Sequence, residues 1–229
     1  MLSQPINHIS FNQPMNHTDA AQLYSLGQHL PEAGELMGAS IIFRRNAEIY
    51  GEGEPADYLY KMLSGTAMTY KILSDGRRQV GGFHLPGDIF GLEAGDAHSL
   101  SAEAVSRCNV LVVKRSALVA MAGRQQEIAL EVLQVMGHEL RRVQTHTLLL
   151  IRSAQERVAA FLLEMAERNS TGDVIEVPMS RQDIADYLGL TVETVSRTLT
   201  QLEILGAIEL SSRRRIALRN RSMLHRLNC

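Results

Sequence analysis

Hydrophobic positions change their period twice along this chain, and the changes divide it into regions. Residues 1–22, rich in Asn, Gln, Pro and His with few apolar anchors, read as a flexible tail. From about 40 to 114 the apolar positions come in short alternating runs: IIFRR, EIYG, DYLYKMLSG, TAMTYKIL, RQVGGF, AEAVS and NVLVVK. Turn residues separate these runs. Asp75-Gly76 is the clearest hairpin turn, and Pro86-Gly87-Asp88 is the next. Short, closely spaced strands with many glycines predict an antiparallel roll or sandwich over 23–115.

From 116 to 147 the period becomes helical. Ala129, Leu133, Met136, Leu140, Val143, Thr147 and Leu150 follow a 4-3-4-3-4-3 spacing, a heptad seam. Ile128, Val132 and Val135 form a second stripe on an adjacent face. One stripe packs on the chain's own roll, and the other is left for a second copy of the chain. The alternative is that both stripes are intramolecular core. A further helix, roughly 153–168, places Val158, Phe161, Leu162 and Met165 on one side. It opens a last domain, 148–229, in which VIEVPM (174–179) reads as a short strand.

Within that domain, residues 181–200 carry the most informative pattern. Ser180 suits a helix cap, with Asp183 three residues on in capping-box spacing. Ile184, Ala185 and Leu188 share an apolar face, and Gly189 supplies a turn of positive φ. Thr191 suits the cap of a second helix, whose buried stripe is Val195, Leu199 and Leu202. Glu193, Thr194, Ser196 and Arg197 are left on its outer surface, near its N-terminus. A recognition helix of a helix-turn-helix presents base-reading side chains there. A carboxylate accepts from a cytosine amino group, and a guanidinium donates twice to guanine O6 and N7. The competing reading is an ordinary helical hairpin, with Glu193 and Arg197 an i,i+4 surface pair. The runs AIEL (207–210) and IALR (216–219) flank SSRRR, a β-hairpin or wing whose Arg213, Arg214 and Arg215 suit phosphates.

Composition adds three constraints. The 229 residues suffice for two small cores, and the net charge of −2 is not that of a strongly basic nucleic-acid binder. The charge is uneven, however: residues 181–229 hold eight arginines against five acids, +3, leaving −5 for the rest. No apolar stretch is long enough to span a membrane and no secretory signal is seen, so the expected compartment is the cytoplasm. Cys108 and Cys229 are too few for a disulfide framework or an all-cysteine cluster. Cys108 reads as a small buried hydrophobe, with a redox role as the alternative. The eight histidines show no i,i+3 or i,i+4 pair for a metal, and no tight cluster suggests catalysis. No cofactor, metal or enzymatic activity is expected.

The stretches LPGDIFGLE (85–93), SAQERVAAFLL (153–163) and SRQDIADYLGLTVETVSRTL (180–199), in this order, resemble the Crp/Fnr family of bacterial transcription regulators. The resemblance covers essentially the whole chain, and the opening NHISFNQPMN is similar to its FixK branch. It implies an α+β architecture: an N-terminal antiparallel β-roll of the cyclic-nucleotide-binding kind, a long dimerisation helix and a C-terminal winged helix-turn-helix. It implies Glu193, Ser196 and Arg197 as the base-contacting trio at a palindrome of the type TTGAT-N4-ATCAA. Arg181, Gln182, Thr191, Thr194 and Arg213, Arg214 and Arg215 are the candidates for DNA backbone contacts. The implied role is that of a homodimeric activator of microaerobic respiration and nitrogen-fixation genes, in contact with RNA polymerase through exposed loops such as 74–78 or 95–97. Two departures matter. Residues 1–30 hold no cysteine, so the iron–sulfur centre of Fnr itself is not expected. His98-Ser99 stands where cyclic-AMP-binding members have Arg-Ser, so the nucleotide pocket is expected to be vestigial. A ligand-gated regulator of the same family is the alternative.

Overall fold

The computed structural model describes residues 38–171, 173–212 and 214–228; the expected tail 1–22, the start of the roll, Arg213 and Cys229 lie outside them. Two antiparallel four-stranded sheets form the roll. One has the order β1 (Ala39–Phe43), β8 (Cys108–Lys114), β3 (Tyr58–Ser64), β6 (Ile89–Phe90). The other runs β2 (Glu48–Tyr50), β7 (Ser101–Ala104), β4 (Ala67–Ile72), β5 (Arg78–His84). Alternation along the strands decides what fills the space between them: Tyr50, Tyr60, Met62, Ala67, Phe90, Ala102, Ala104, Cys108 and Val110 are all buried. Cys108 is thus the small core residue expected of it.

The turns follow the predicted chemistry. Gly76 adopts φ 81° at the β4–β5 hairpin, where the Arg77 N–H donates to Asp75 Oδ1 at 3.0 Å. Gly65, with φ 81°, allows the β3–β4 turn to lie on the backbone of Arg107; a Cβ there would stand 2.3 Å from the Arg107 carbonyl oxygen.

The expected single helix over 116–147 is two helices, α1 (Arg115–Ala122) and α2 (Gln126–Leu149). Gly123 caps the first, and Gln125 is extended (φ −126°, ψ 108°), which breaks the hydrogen-bond ladder before α2 starts. The second helix also runs two residues past the expected end, and Leu149 is buried in the core of the domain that follows. The two stripes of α2 separate as their spacing predicts. Ile128 is buried and Val132 and Val135 are partly covered, whereas Leu133, Met136, Leu140, Val143 and Thr147 are exposed. Leu133 is 65% exposed. Ala129 and Leu150, at the ends of the seam, are partly covered.

The last domain is built from α3 (Ala154–Asn169), β9 (Ser170–Thr171), β10 (Val174–Glu176), α4 (Arg181–Leu188), α5 (Val192–Ile204), β11 (Ile208–Leu210), β12 (Arg215–Leu218) and α6 (Arg221–Leu227). Its strands form a sheet of order β11-β12-β10-β9. Val158, Phe161, Leu162 and Met165 of α3 are each 1% exposed and back the helix pair. This core does not stop at the domain boundary. Through Phe83 of β5 it is continuous with Met68, Val80 and Leu85 of the roll.

Candidate nucleic-acid interface

Helices α4 and α5 are set by local signals at each end. Ser180 Oγ accepts from the Asp183 N–H at 3.1 Å while Asp183 Oδ2 accepts from the Ser180 N–H at 2.8 Å, the reciprocal box predicted from their spacing. Gly189 ends α4 at φ 61°, ψ 40°. The Arg157 guanidinium donates to the carbonyls of Leu188 at 2.9 Å and Gly189 at 3.3 Å, a cation at the negative end of the helix. Thr191 Oγ1 accepts from the Thr194 N–H at 3.2 Å and starts α5. Val195, Leu199 and Leu202 are buried, and Thr198 joins them.

That burial fixes the opposite face. Glu193, Ser196 and Arg197 are all exposed on the first two turns of α5. The Glu193 carboxyl is held below the usual carboxylate range, chiefly by its own backbone N–H and the Thr191 hydroxyl, with the Arg197 charge adding to them. At neutral pH the face therefore offers one ionised acceptor and one guanidinium, one helical turn apart, at the positive end of a helix. The surroundings are less uniform than expected. Gln182 is exposed, its amide donating to Asp186 Oδ1 at 2.6 Å. Arg181 is half-buried, and burial lowers its pKa. Thr191 and Thr194 share a hydroxyl contact of 3.0 Å within the cap. Arg214 and Arg215 are exposed at the wing, whereas Arg213 lies outside the described residues.

The face of α4 turned away from α5 is a surprise that local sequence patterns do not announce. Asp183, Asp186 and Tyr187 lie against the roll. The Arg78 guanidinium of β5 donates to Asp186 Oδ2 at 2.7 Å and to Asp183 Oδ1 at 2.5 Å. Gln79 donates to the Tyr187 carbonyl at 3.4 Å. The Tyr187 ring packs on Phe83, 5.1 Å between centroids, and its hydroxyl donates to Glu164 Oε2 at 3.2 Å. Arg168 of α3 reaches back to Asp88 and to the Phe83 carbonyl. The 74–78 loop is accordingly exposed only as far as Arg77.

Inside the roll, the position expected of a phosphate-binding arginine is filled by His98. Its ring is 2% exposed and stacks on Tyr50 at 3.7 Å. Tyr60, Phe90 and His84 continue the column, with centroid separations of 4.9, 5.3 and 4.6 Å. Burial lowers the pKa of His98, which favours the neutral imidazole. Ser99 gives both its N–H, at 2.9 Å, and its hydroxyl, at 3.0 Å, to Glu93 Oε1. A cyclic phosphate would meet a neutral ring, a hydroxyl already engaged and a carboxylate. These residues do not fit the ligand.

Comparison with known proteins matches this geometry. Residues 156–227 match the Crp-like helix-turn-helix domain, and residues 41–125 match the cyclic nucleotide-binding domain. The nitrogen fixation regulation protein FixK of Azorhizobium caulinodans is 50% identical over 198 residues, covering 84% of this chain and 80% of that protein. FixK of Rhizobium meliloti is 43% identical, covering 76% and 80%. The structure of FixK2 from Bradyrhizobium japonicum superposes with a TM-score of 0.81 at 50% identity, over 84% of this chain and 98% of that one. The chain belongs to the Crp/Fnr family of transcription regulators, in its FixK branch.

Proposed function

We propose that the protein is a homodimeric, sequence-specific DNA-binding activator that works in the cytoplasm without a bound cofactor. Its sites are palindromes of the type TTGAT-N4-ATCAA. The observation that carries this reading is the exposed pair Glu193 and Arg197 on the first turns of α5, with Ser196 between them. The two side chains suit a C and a G on opposite strands of one half-site. Exposed Arg214 and Arg215, with Gln182 and the Thr191 cap nearby, suit the backbone on either side. The exposed seam Leu133, Met136, Leu140, Val143 and Thr147, flanked by Ala129 and Leu150, supports pairing of two copies about α2. Pairing presents two reading helices to two half-sites. By kinship with FixK proteins the genes controlled serve nitrogen fixation; the family resemblance adds genes of microaerobic respiration. Of the two candidate loops for contact with RNA polymerase, 74–78 is exposed through residue 77 and 95–97 throughout, and either suits that role.

A gel-shift comparison tests the reading. A duplex carrying TTGAT-N4-ATCAA binds well at about 150 mM salt, and the same duplex with its half-site G·C pairs inverted loses about 1–3 kcal/mol per pair. Equal binding to both removes base reading by Glu193 and Arg197. The match of 41–125 to the cyclic nucleotide-binding domain favours a second reading, a nucleotide-gated regulator. Calorimetry with cyclic AMP decides between them, since micromolar binding would overturn the argument from His98 and Glu93.

A further inference from the structure

Arg78 belongs to the roll, yet both its hydrogen-bonded partners belong to the reading domain. Asp183 is already the capping-box residue of α4, its Oδ2 taken by Ser180, so its Oδ1 is the oxygen left to face Arg78. Asp186, one turn on, divides itself in the same way: Oδ1 accepts from Gln182 and Oδ2 from Arg78. The fork therefore spans two carboxylates whose positions are fixed by the helix that supports α5. The side chains involved are partly shielded, 24% exposed for Arg78 and 12% and 11% for the two aspartates. Around the fork, Phe83 and Gln79 of β5 meet Tyr187 and Arg168 meets Asp88, while the chain itself passes from body to head at 150–153, between the ends of α2 and α3. Among these contacts the fork is the one in which one roll side chain grips two carboxylates of α4. With this contact made, the face bearing Glu193, Ser196 and Arg197 is exposed.

We propose that Arg78 is a positioning residue for DNA recognition: its fork onto Asp183 and Asp186 fixes the angle at which the reading head leaves the body, so that the two heads of a dimer meet two half-sites together. This rests on the base-reading function proposed above. A cyclic-nucleotide ligand is not needed to set that angle, because a pair of carboxylates on α4 and a guanidinium on β5 set it within one chain. Loosening the fork leaves each head able to read its own half-site. What is lost is the registration between heads, and with it the gain from binding both half-sites at once.

The test compares affinity for a palindromic duplex with affinity for a duplex carrying a single half-site, in the full-length protein. Arg78→Gln lowers affinity for the palindrome about tenfold or more while changing half-site affinity less than about twofold. Arg78→Lys, which keeps the charge but does not span both carboxylates, falls between. Arg78→Asp combined with Asp186→Arg rebuilds one pair with reversed polarity and recovers part of the palindrome affinity lost in Arg78→Asp alone. Thermal melting of each variant shows that the head is folded. If Arg78→Gln binds the palindrome as the wild type does, or loses palindrome and half-site equally, the positioning role is wrong. If the wild type itself fails to distinguish the palindrome from its G·C-inverted control, the base-reading proposal fails, which is a different result from either of these.

Discussion

His146 lies flat on Tyr187, with ring centroids 4.1 Å apart and planes 2° from parallel, and its Nε2 reaches the Tyr187 carbonyl at 2.8 Å. A carbonyl only accepts, so Nε2 carries the proton and donates. Helix α2, the seam helix, thus holds the end of α4 through both the face and the edge of one ring. Burial lowers the His146 pKa, which keeps the ring neutral at pH 7.

This contact predicts a graded loss. His146→Ala removes the stack and leaves the Tyr187 carbonyl without that donor, at a cost of about 1–3 kcal/mol. His146→Phe keeps a flat ring against Tyr187 but supplies no N–H, and costs about half as much. Urea unfolding of the two variants and the wild type checks the order. A Phe variant as destabilised as the Ala variant would assign the whole effect to the hydrogen bond.

The buried histidines predict an acid-sensitive fold. His84 is 2% exposed, 3.2 Å from Thr69 Oγ1, and faces Arg142 and Arg168; burial first, then those charges, hold its pKa well below the ordinary histidine value. His98 is lowered by burial, although Glu93 and Glu54 oppose that shift, and His146 is lowered in the same direction. In the unfolded chain these rings titrate near 6.5. Above that value both states are neutral and the stability is fully present. As pH falls below it, the unfolded chain takes up protons that the folded chain refuses, so stability drops by up to about 1.4 kcal/mol per pH unit for each histidine. The loss continues down to each folded value. Unfolding free energies measured from pH 7.5 to 5.5 therefore fall, and His84→Gln flattens the slope. A profile unchanged over that window would contradict the neutral burial of these rings.

Much of the reading domain was legible from sequence because its signals are local. The Ser180–Asp183 box, the Gly189 turn, the Thr191 cap and the spacing of Val195, Leu199 and Leu202 each lie within a few residues of what they control. The strand runs and the Asp75-Gly76 turn are local in the same sense. The break at Gly123 is not announced by the pattern, because α1 and α2 are both helical and one glycine does not oblige a helix to end. The contacts between body and head are the reverse case. Arg78 and Asp186 are 108 residues apart, and either reads alone as an ordinary exposed charge. Tyr187 of α4 touches β5, α2 and α3, contacts that no spacing within α4 announces. Only the tertiary arrangement brings these partners together.

The seam on α2 predicts the behaviour of a charge placed in it. Leu140 is 59% exposed in the single chain and sits near the middle of the heptad spacing. In a dimer two copies of Leu140→Glu would bury carboxylates without partners, at several kcal/mol each. Sedimentation at micromolar concentration finds this variant monomeric and the wild type dimeric. The folded monomer keeps its melting cooperativity, because Leu140 contributes little to its own core. Affinity for a palindrome falls about a hundredfold or more, whereas half-site binding changes little. A variant that remains dimeric would place the interface elsewhere on the chain.

Arginines on the reading helix and on the wing predict two separable kinds of loss. Arg197 is placed to address a base edge, so Arg197→Ala costs about 1–3 kcal/mol on the cognate palindrome and little on a duplex whose half-site guanines are replaced. Arg214 and Arg215 are exposed beside the hairpin turn, where their N–H groups donate to Ser212 Oγ at 3.3 and 3.1 Å, which ties the backbone and leaves the guanidinium groups outside. Such groups address phosphates, which carry no sequence information. The double substitution Arg214→Ala with Arg215→Ala therefore weakens cognate and altered duplexes by the same factor. Each lost phosphate contact also makes the dependence of log affinity on log salt shallower by about one, whereas Arg197→Ala leaves that slope nearly unchanged. Titrations of both duplexes at three salt concentrations resolve the two patterns. A wing variant that loses discrimination rather than overall affinity would mean that the hairpin reads bases, and that α5 is not the sole source of specificity.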